Sequence, residues 1–328
     1  MSENSTRVED LWFDDGSIVL NVGNRLFCVH KTILALHSGF FRDMVASAEP
    51  YPSEAFEGMP LVTLHDDDPR DMTHFLKAVY LPGYFLPPPS RTSLEIIEGV
   101  LRLAHKYDVP QLRRHALQHL AIAYPTDLDK LSDAAALSTY IYCPDADMVG
   151  TVQVIATLAR ETEALWLLPS LYNDVLYNAP AAVQSETTFL GRQRRLSSED
   201  VAACLAGCDA MCTVEYPFDA FFSSTLGCGE MFCTVRRLLY FGSGKLNDAT
   251  GTPLTRDPDW FDDPSSSMDV CDMCAREMRA YYKQWRAGVW QSYPQYFKLP
   301  AWEELLRMKC RDLELPAPMS NGDAASQD

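Results

Sequence analysis

A β-hairpin followed directly by a helix is the feature that most constrains the fold of this chain. The segments Ser17–Val22 and Phe27–Val29 are patterned as strands, and the dipeptide Gly23-Asn24 stands between them. Such a dipeptide is a strong signal for a two-residue hairpin turn. Residues 31–44 follow without a long loop and place apolar side chains at helical spacing. The sequence therefore predicts two antiparallel strands and a helix that packs on them.

The apolar residues of this helix are predicted to form one buried stripe, because residues on one helix face recur at i, i+3, i+4 and i+7. The charged residues Lys31, Arg42 and Asp43 fall outside it. The stripe consists of Ile33, Leu34, Phe40, Phe41 and Met44.

Two segments resemble the BTB/POZ family of domains. His30–Phe41 has the His-Lys-x-x-Leu-x-x-x-Ser-x-x-Phe pattern of the family's opening helix, and Lys106–Leu112 has the Lys-Tyr-x-Val turn that precedes its closing helix. The resemblance covers residues 10–122. The proline-rich insert between Leu81 and Leu94 is similar to that of BTB proteins expanded in mushroom-forming fungi. The resemblance implies an α+β fold in which a small β-sheet is flanked by α-helices.

The length of 328 residues exceeds the roughly 100–200 residues of one domain, so a second domain is expected. Apolar residues recur at helical spacing beyond residue 125. The expected organisation is a flexible N-terminus (1–9), a BTB/POZ domain (10–124), a mostly α-helical C-terminal domain (125–315) and a disordered polar tail (316–328).

The charge balance argues against direct nucleic-acid binding, because the chain has 28 Lys and Arg but 45 Asp and Glu and is therefore strongly acidic. The short basic run Gly191–Arg195 is predicted to be a solvated linker. Residues 1–10 lack the layout of a signal peptide, and no apolar run approaches the roughly 20 residues that span a bilayer. We therefore expect an intracellular protein, cytoplasmic or nuclear, that does not contact a membrane.

Two close pairs of cysteines predict a structural zinc site. One pair has the spacing C-x4-C and the other C-x2-C, with 37 residues between them. Thiolates are good zinc ligands, and four of them complete a tetrahedral site. The alternative is that these cysteines are small buried hydrophobic residues. The candidate ligands are Cys228, Cys233, Cys271 and Cys274.

Other cysteines and histidines offer weaker candidates. Cys204, Cys208 and Cys212 recur every four residues and are predicted to form a buried stripe, although they are rival partners for the C-x2-C pair. His115 and His119 are also four apart but lack the glutamate of the H-E-x-x-H motif, so a solvated helix face is predicted. The chain is interpreted as a non-enzymatic interaction module. The competing interpretation is a metal-dependent enzyme in which three thiolates leave one position open.

The BTB/POZ resemblance implies a homodimer that recruits other proteins, as a cullin ubiquitin-ligase adaptor or a transcriptional scaffold. Lys31 occupies the basic position of the family's charged pocket, whereas Ser17 stands at the acidic position. Ala55-Phe56-Glu57 is the segment that best matches the family's cullin anchor. The resemblance assigns the dimer or partner interface to Leu11, Trp12, Phe13, Lys31 and Phe56.

Overall fold

The computed structural model describes most of the 328 residues. The described parts are residues 5–47, 54–131, 139–143, 147–214, 227–242, 254 and 269–316. The predicted disordered tail, apart from residue 316, lies outside them, as do the first four residues of the predicted flexible N-terminus.

Five strands form one mixed sheet: β1 (Thr6–Trp12), β2 (Ile18–Val22), β3 (Arg25–Val29), β4 (Ala55–Phe56) and β5 (Met59–Leu64). Their order across the sheet is β1-β3-β2-β5-β4. Strands β2 and β3 are antiparallel, with Val22 opposite Arg25, so the predicted hairpin at Gly23-Asn24 is confirmed. Strand β1 is parallel to β3, and β2 is parallel to β5.

The sheet begins earlier in the chain than the sequence indicates. Thr6 lies opposite Arg25, and Arg7 opposite Leu26, so residues 6–9 belong to strand β1 rather than to a flexible end. The guanidinium of Arg7 lies 4.2 Å from the ring centroid of Trp12, within cation–π range. The side chains of β1 are mostly polar and exposed, so its sequence lacks the apolar alternation that predicts a strand.

Among the described residues of the N-terminal half, the helices are α1 (Lys31–His37), α2 (Gly39–Ser47), α3 (Pro69–Tyr80), α4 (Leu94–Lys106) and α5 (Pro110–Ala123). Helix α3 begins with Pro69 in its first turn, and the Asp68 carboxylate accepts a hydrogen bond of 2.7 Å from the Arg70 N–H. The inward side chains of the hairpin, such as Leu20 and Phe27, are completely buried in the core that these helices share.

The predicted helix over residues 31–44 is two helices, separated at Ser38. The Ser38 hydroxyl accepts a hydrogen bond of 3.0 Å from the Phe41 N–H and donates one to the Tyr107 carbonyl, so it caps α2 from within the core. Phe41 is fully buried against the Tyr107 ring, but Phe40 is 45% exposed. The predicted position of Phe40 in the buried stripe is therefore wrong, because the break changes the helical phase.

The C-terminal half is mostly helical, which confirms the predicted fold class. Short strands accompany the helices in the described part of the chain: β8 (Thr187–Phe189) is antiparallel to β9 (Arg192–Arg194), and β7 (Ile141–Tyr142) is parallel to β6 (Thr92–Ser93) of the N-terminal half. The helices are α6 (Met148–Glu161), α7 (Leu168–Tyr177), α8 (Ser198–Thr213), α9 (Met231–Gly242), α10 (Asp272–Tyr296) and α11 (Trp302–Leu313).

A buried ion network joins the two halves. Arg194 donates to both carboxylate oxygens of Glu98, at 2.7 and 2.8 Å. Arg192 donates to Asp71 at 2.6 Å, and Arg102 donates to the same carboxylate at 2.6 Å. Glu98 and Asp71 are almost completely buried. The prediction of a solvated linker at residues 191–195 is wrong, because these arginines pair with carboxylates on α3 and α4.

A second contact anchors the last helix. Asp312 of α11 is buried and accepts hydrogen bonds from Arg113 of α5 at 3.1 Å and from the Trp166 indole at 2.9 Å. Nearby, the Trp302 indole donates to the Trp290 carbonyl at 2.6 Å. The Arg113–Asp312 ion pair therefore fixes the last helix of the C-terminal half to α5 of the N-terminal half.

Candidate metal centre and interaction surface

The four predicted metal ligands meet where α10 begins. Their Sγ atoms all lie within 4.8 Å of one another, and those of Cys228 and Cys274 are 3.6 Å apart. Tetrahedral zinc with Zn–S bonds of about 2.3 Å requires sulfurs about 3.8 Å apart. All ten cysteines of the chain are free thiols, so no disulfide ties these segments together. The four cysteines thus form a cluster that can hold one metal ion.

Backbone N–H groups point at two of the sulfurs. The Cys228 N–H donates to the Cys274 Sγ at 3.4 Å, and the Cys271 N–H donates to the Cys233 Sγ at 3.5 Å. Each bond links one cysteine pair to the other. Because hydrogen bonds to sulfur favour the charged form, the backbone stabilises the thiolates that a metal requires.

The thiols of the cluster differ in acidity. The backbone N–H of Cys274, at the start of α10, and the neighbouring thiols lower the pKa of Cys271 to about 7. Burial, together with hydrogen bonds among the thiols, raises the pKa of Cys274 to about 12. A divalent cation that binds here would therefore displace protons from the less acidic thiols, which makes its affinity dependent on pH.

Gly227 and Arg237 complete the surroundings of the cluster. Gly227 has φ +93°, and a Cβ at this position would lie 2.6 Å from the Cys274 Sγ. Arg237 is 1% exposed, and its Nη1 lies 3.5 Å from that same Cβ position. The buried guanidinium is therefore close to the sulfurs, where its positive charge favours thiolates.

Gly227→Ala should weaken metal binding about tenfold to a hundredfold, because the new methyl group must displace the Cys274 sulfur. Competition with a chromophoric chelator measures the affinity. Gly229→Ala is the matched control: Gly229 also has a positive φ, +73°, but a Cβ there meets nothing within 4 Å. Equal losses in the two variants would show that backbone strain alone matters and that Gly227 has no special role at the cluster.

The remaining candidate ligands lie elsewhere in the fold. Cys204 is buried, but Cys208 and Cys212 are exposed, so the predicted buried stripe holds only for its first member. Steps of four residues drift by about 40° around a helix, which carries the later cysteines out of the core. His119 is fully buried, and its Nε2 lies 2.9 Å from the Leu86 carbonyl oxygen. The prediction of a solvated helix face is wrong for His119.

Three of the predicted interface residues lie near the start of α1 but have different surroundings. Leu11 is completely buried in the core. Phe13 is half-buried and packs against His30, with ring centroids 5.1 Å apart. Lys31 is exposed, and its backbone N–H donates to the Ser17 hydroxyl at 3.0 Å. The two positions of the family's charged pocket are therefore in contact here, through serine instead of an acid.

The other two interface candidates lie together on the outer face of the sheet. Trp12 and Phe56 are half-buried, with ring centroids 6.1 Å apart in an edge-on arrangement. They cover a small apolar cluster that is separate from the main core and consists of Val19, Leu26 and Cys28. Trp12 and Phe56 thus form an aromatic patch between the two edge strands β1 and β4.

Residues 13–122 match the BTB/POZ domain family. This part of the chain is a BTB/POZ domain. The match includes the mixed sheet from β2 onward and the helices through most of α5, and it leaves the helical C-terminal half outside. No curated protein matches the chain.

BTB/POZ domains are protein–protein interaction modules, so the chain carries a module of this kind. Among the described residues, no helix combines the length and the apolar character that crossing a bilayer requires.

Proposed function

We propose that this protein is a non-enzymatic, homodimeric adaptor. Its BTB/POZ domain brings two copies together, and its helical C-terminal half holds a protein partner. The BTB/POZ domain at residues 13–122 carries the proposal. The ion network around Glu98 supports it, because a partner bound to the C-terminal half would keep a fixed position relative to the dimer. Ten free thiols fit a reducing intracellular compartment.

The proposed dimer uses the edge strand β1 and Trp12 at its end, and it leaves Phe56 on β4 to a further partner. Strand β1 is at one edge and, within the described residues, pairs only with β3. An edge strand offers backbone N–H and C=O groups to another chain. Trp12 ends this strand beside Phe56, and partly exposed aromatic side chains are frequent anchors of interfaces.

The purified chain should have twice its monomer mass of 36.9 kDa at micromolar concentration in light scattering. Trp12→Ala should raise the dimer dissociation constant about a hundredfold, as expected for an aromatic anchor. Leu36→Ala is the control, because Leu36 is 76% exposed on α1 and does not belong to the aromatic patch. A wild-type chain that stays monomeric would refute the proposed dimer, and equal effects of the two substitutions would refute Trp12 as its anchor.

We also propose that the cysteine cluster binds structural zinc. Four thiolates fill a tetrahedral shell and leave no position for water or substrate, which favours a structural role over the metal-dependent enzyme. Zinc there would tie the loop before α9 to the start of α10. Metal analysis of the full chain should find about one zinc per chain, and a sample without stoichiometric metal would contradict this assignment.

A cullin scaffold is the first partner to test. Phe56 lies in the short edge strand β4, and Glu57 in the following turn pairs with Arg7 of β1. This ion pair holds the segment beside Trp12. Affinity capture from native cells should recover a cullin with the wild-type chain and lose it with Phe56→Ala. Recovery of other scaffold proteins without a cullin would favour the transcriptional role.

A further inference from the structure

Helix α9 turns its apolar side chains toward solvent. Cys233 and Arg237, four residues apart, are 4% and 1% exposed and lie on the side of the cysteine cluster. At about 100° per residue, five large apolar side chains fall within an arc of about 120° on the opposite side. This apolar arc consists of Met231 (80% exposed), Phe232 (61%), Val235 (44%), Leu238 (47%) and Leu239 (64%).

This orientation is the reverse of an ordinary surface helix, whose apolar stripe faces the core. The exposed fractions of the five side chains correspond to on the order of 500 Å² of apolar surface, at the upper end of what a monomer presents. The cause is local. Cys233 faces the cysteine cluster and Arg237 is buried on the same side of α9, so the side that bears these two residues is the buried side. The part of the chain that the structure describes thus leaves the arc uncovered.

We infer that the apolar arc packs against the same arc of a second copy of this chain. The charge distribution allows this occupant at α9 rather than elsewhere on the surface. The chain carries a net charge of −17, so two copies repel each other over most of their surfaces. Helix α9 contains no acidic residue, and its exposed Arg236 is paired with Asp269 at 3.3 Å. Two arcs can therefore meet without bringing uncompensated like charges together.

The spacing and size of the arc also fit self-association. Met231, Val235 and Leu238 follow the i, i+4, i+7 spacing of a two-helix seam, and an apolar stripe is complementary to its own copy. Two arcs would bury about 1,000 Å², the lower limit for a specific interface. The contact is therefore weak alone, and it gains from any second contact that raises the local concentration of the partner helix. It is distinct from the proposed BTB/POZ contact.

Photo-crosslinking tests this contact. Benzoylphenylalanine replaces Met231 in the full chain, heavy and light isotope-labelled copies are mixed, and crosslinked peptides are mapped by mass spectrometry. We expect links between heavy and light chains that map to residues 231–239. Val235→Asp together with Leu239→Asp should reduce their yield about tenfold, because each carboxylate would be buried without a partner. Leu205→Asp is the control, since Leu205 is 58% exposed on α8, and it should leave the yield unchanged.

Links confined to one chain, links to a different surface of the second copy, or a yield that the paired aspartates do not reduce would overturn the inference. Metal content is measured on the same samples, so loss of the zinc site is told apart from loss of the contact. Because the mapped peptides come from α9, the links identify this contact and are told apart from links made by the BTB/POZ domain.

Discussion

Cys274→Ser should weaken metal binding and loosen the segment that contains α9 and the start of α10. Apparent binding free energies of structural zinc sites are about 10–16 kcal/mol, so the loss of one of four ligands should remove about 3–4 kcal/mol. That corresponds to an affinity about a hundredfold to a thousandfold lower. Cys274 is fully buried and accepts the Cys228 N–H, so the substitution also breaks a contact between the two cysteine pairs.

Metal analysis and hydrogen exchange measure the two parts of this prediction. Exchange should accelerate at residues 227–242 and at the start of α10, while the BTB/POZ domain keeps its protection. Cys212→Ser is the control, because Cys212 is an exposed cysteine outside the cluster. Unchanged metal content and protection in Cys274→Ser would refute the structural role. An intact fold that has lost a catalytic turnover would instead favour the enzyme interpretation.

The features that the sequence predicts correctly depend on neighbouring residues or on distinctive chemistry. The turn at Gly23-Asn24 needs only a few adjacent residues. The cysteine cluster spans a gap of 37 residues, yet it was predictable because paired cysteines in a chain with free thiols have few other uses.

The features that the sequence does not predict depend on partners far away in the chain. The helix break at Ser38 depends on the carbonyl of Tyr107, 69 residues later. Arg194 is buried because it pairs with Glu98, 96 residues earlier, whereas a basic run viewed alone indicates a solvated surface. The apolar arc of α9 faces outward because Cys233, on the opposite side of the helix, is buried in the cysteine cluster. The spacing of apolar residues and the helix or strand propensities contain none of this information, because tertiary contacts decide the helix break, the buried arginine and the orientation of α9.

Glu98→Gln should lower the free energy of unfolding by about 3 kcal/mol, because it leaves buried arginines without their shared carboxylate. Glu98 is 1% exposed and accepts hydrogen bonds from Arg102, Arg192 and Arg194. Burial opposes its ionisation, but the hydrogen bond from Arg194 and the charges of the three arginines hold its pKa below the ordinary value. Asp71 cannot compensate, since Arg192 and Arg102 already occupy it. Urea denaturation measures the loss.

The pH dependence distinguishes the network from simple packing. A carboxylate with a lowered pKa in the folded state stabilises the protein above its unfolded pKa, and this contribution disappears as the pH falls through the folded pKa. The difference between wild type and Glu98→Gln should therefore be largest near neutral pH and shrink in acid. Glu161→Gln is the control: Glu161 accepts from Arg102 at the exposed rim, so its loss should cost at most about 1 kcal/mol. If the two variants lost the same stability, the network would not be what joins the C-terminal half to the BTB/POZ domain.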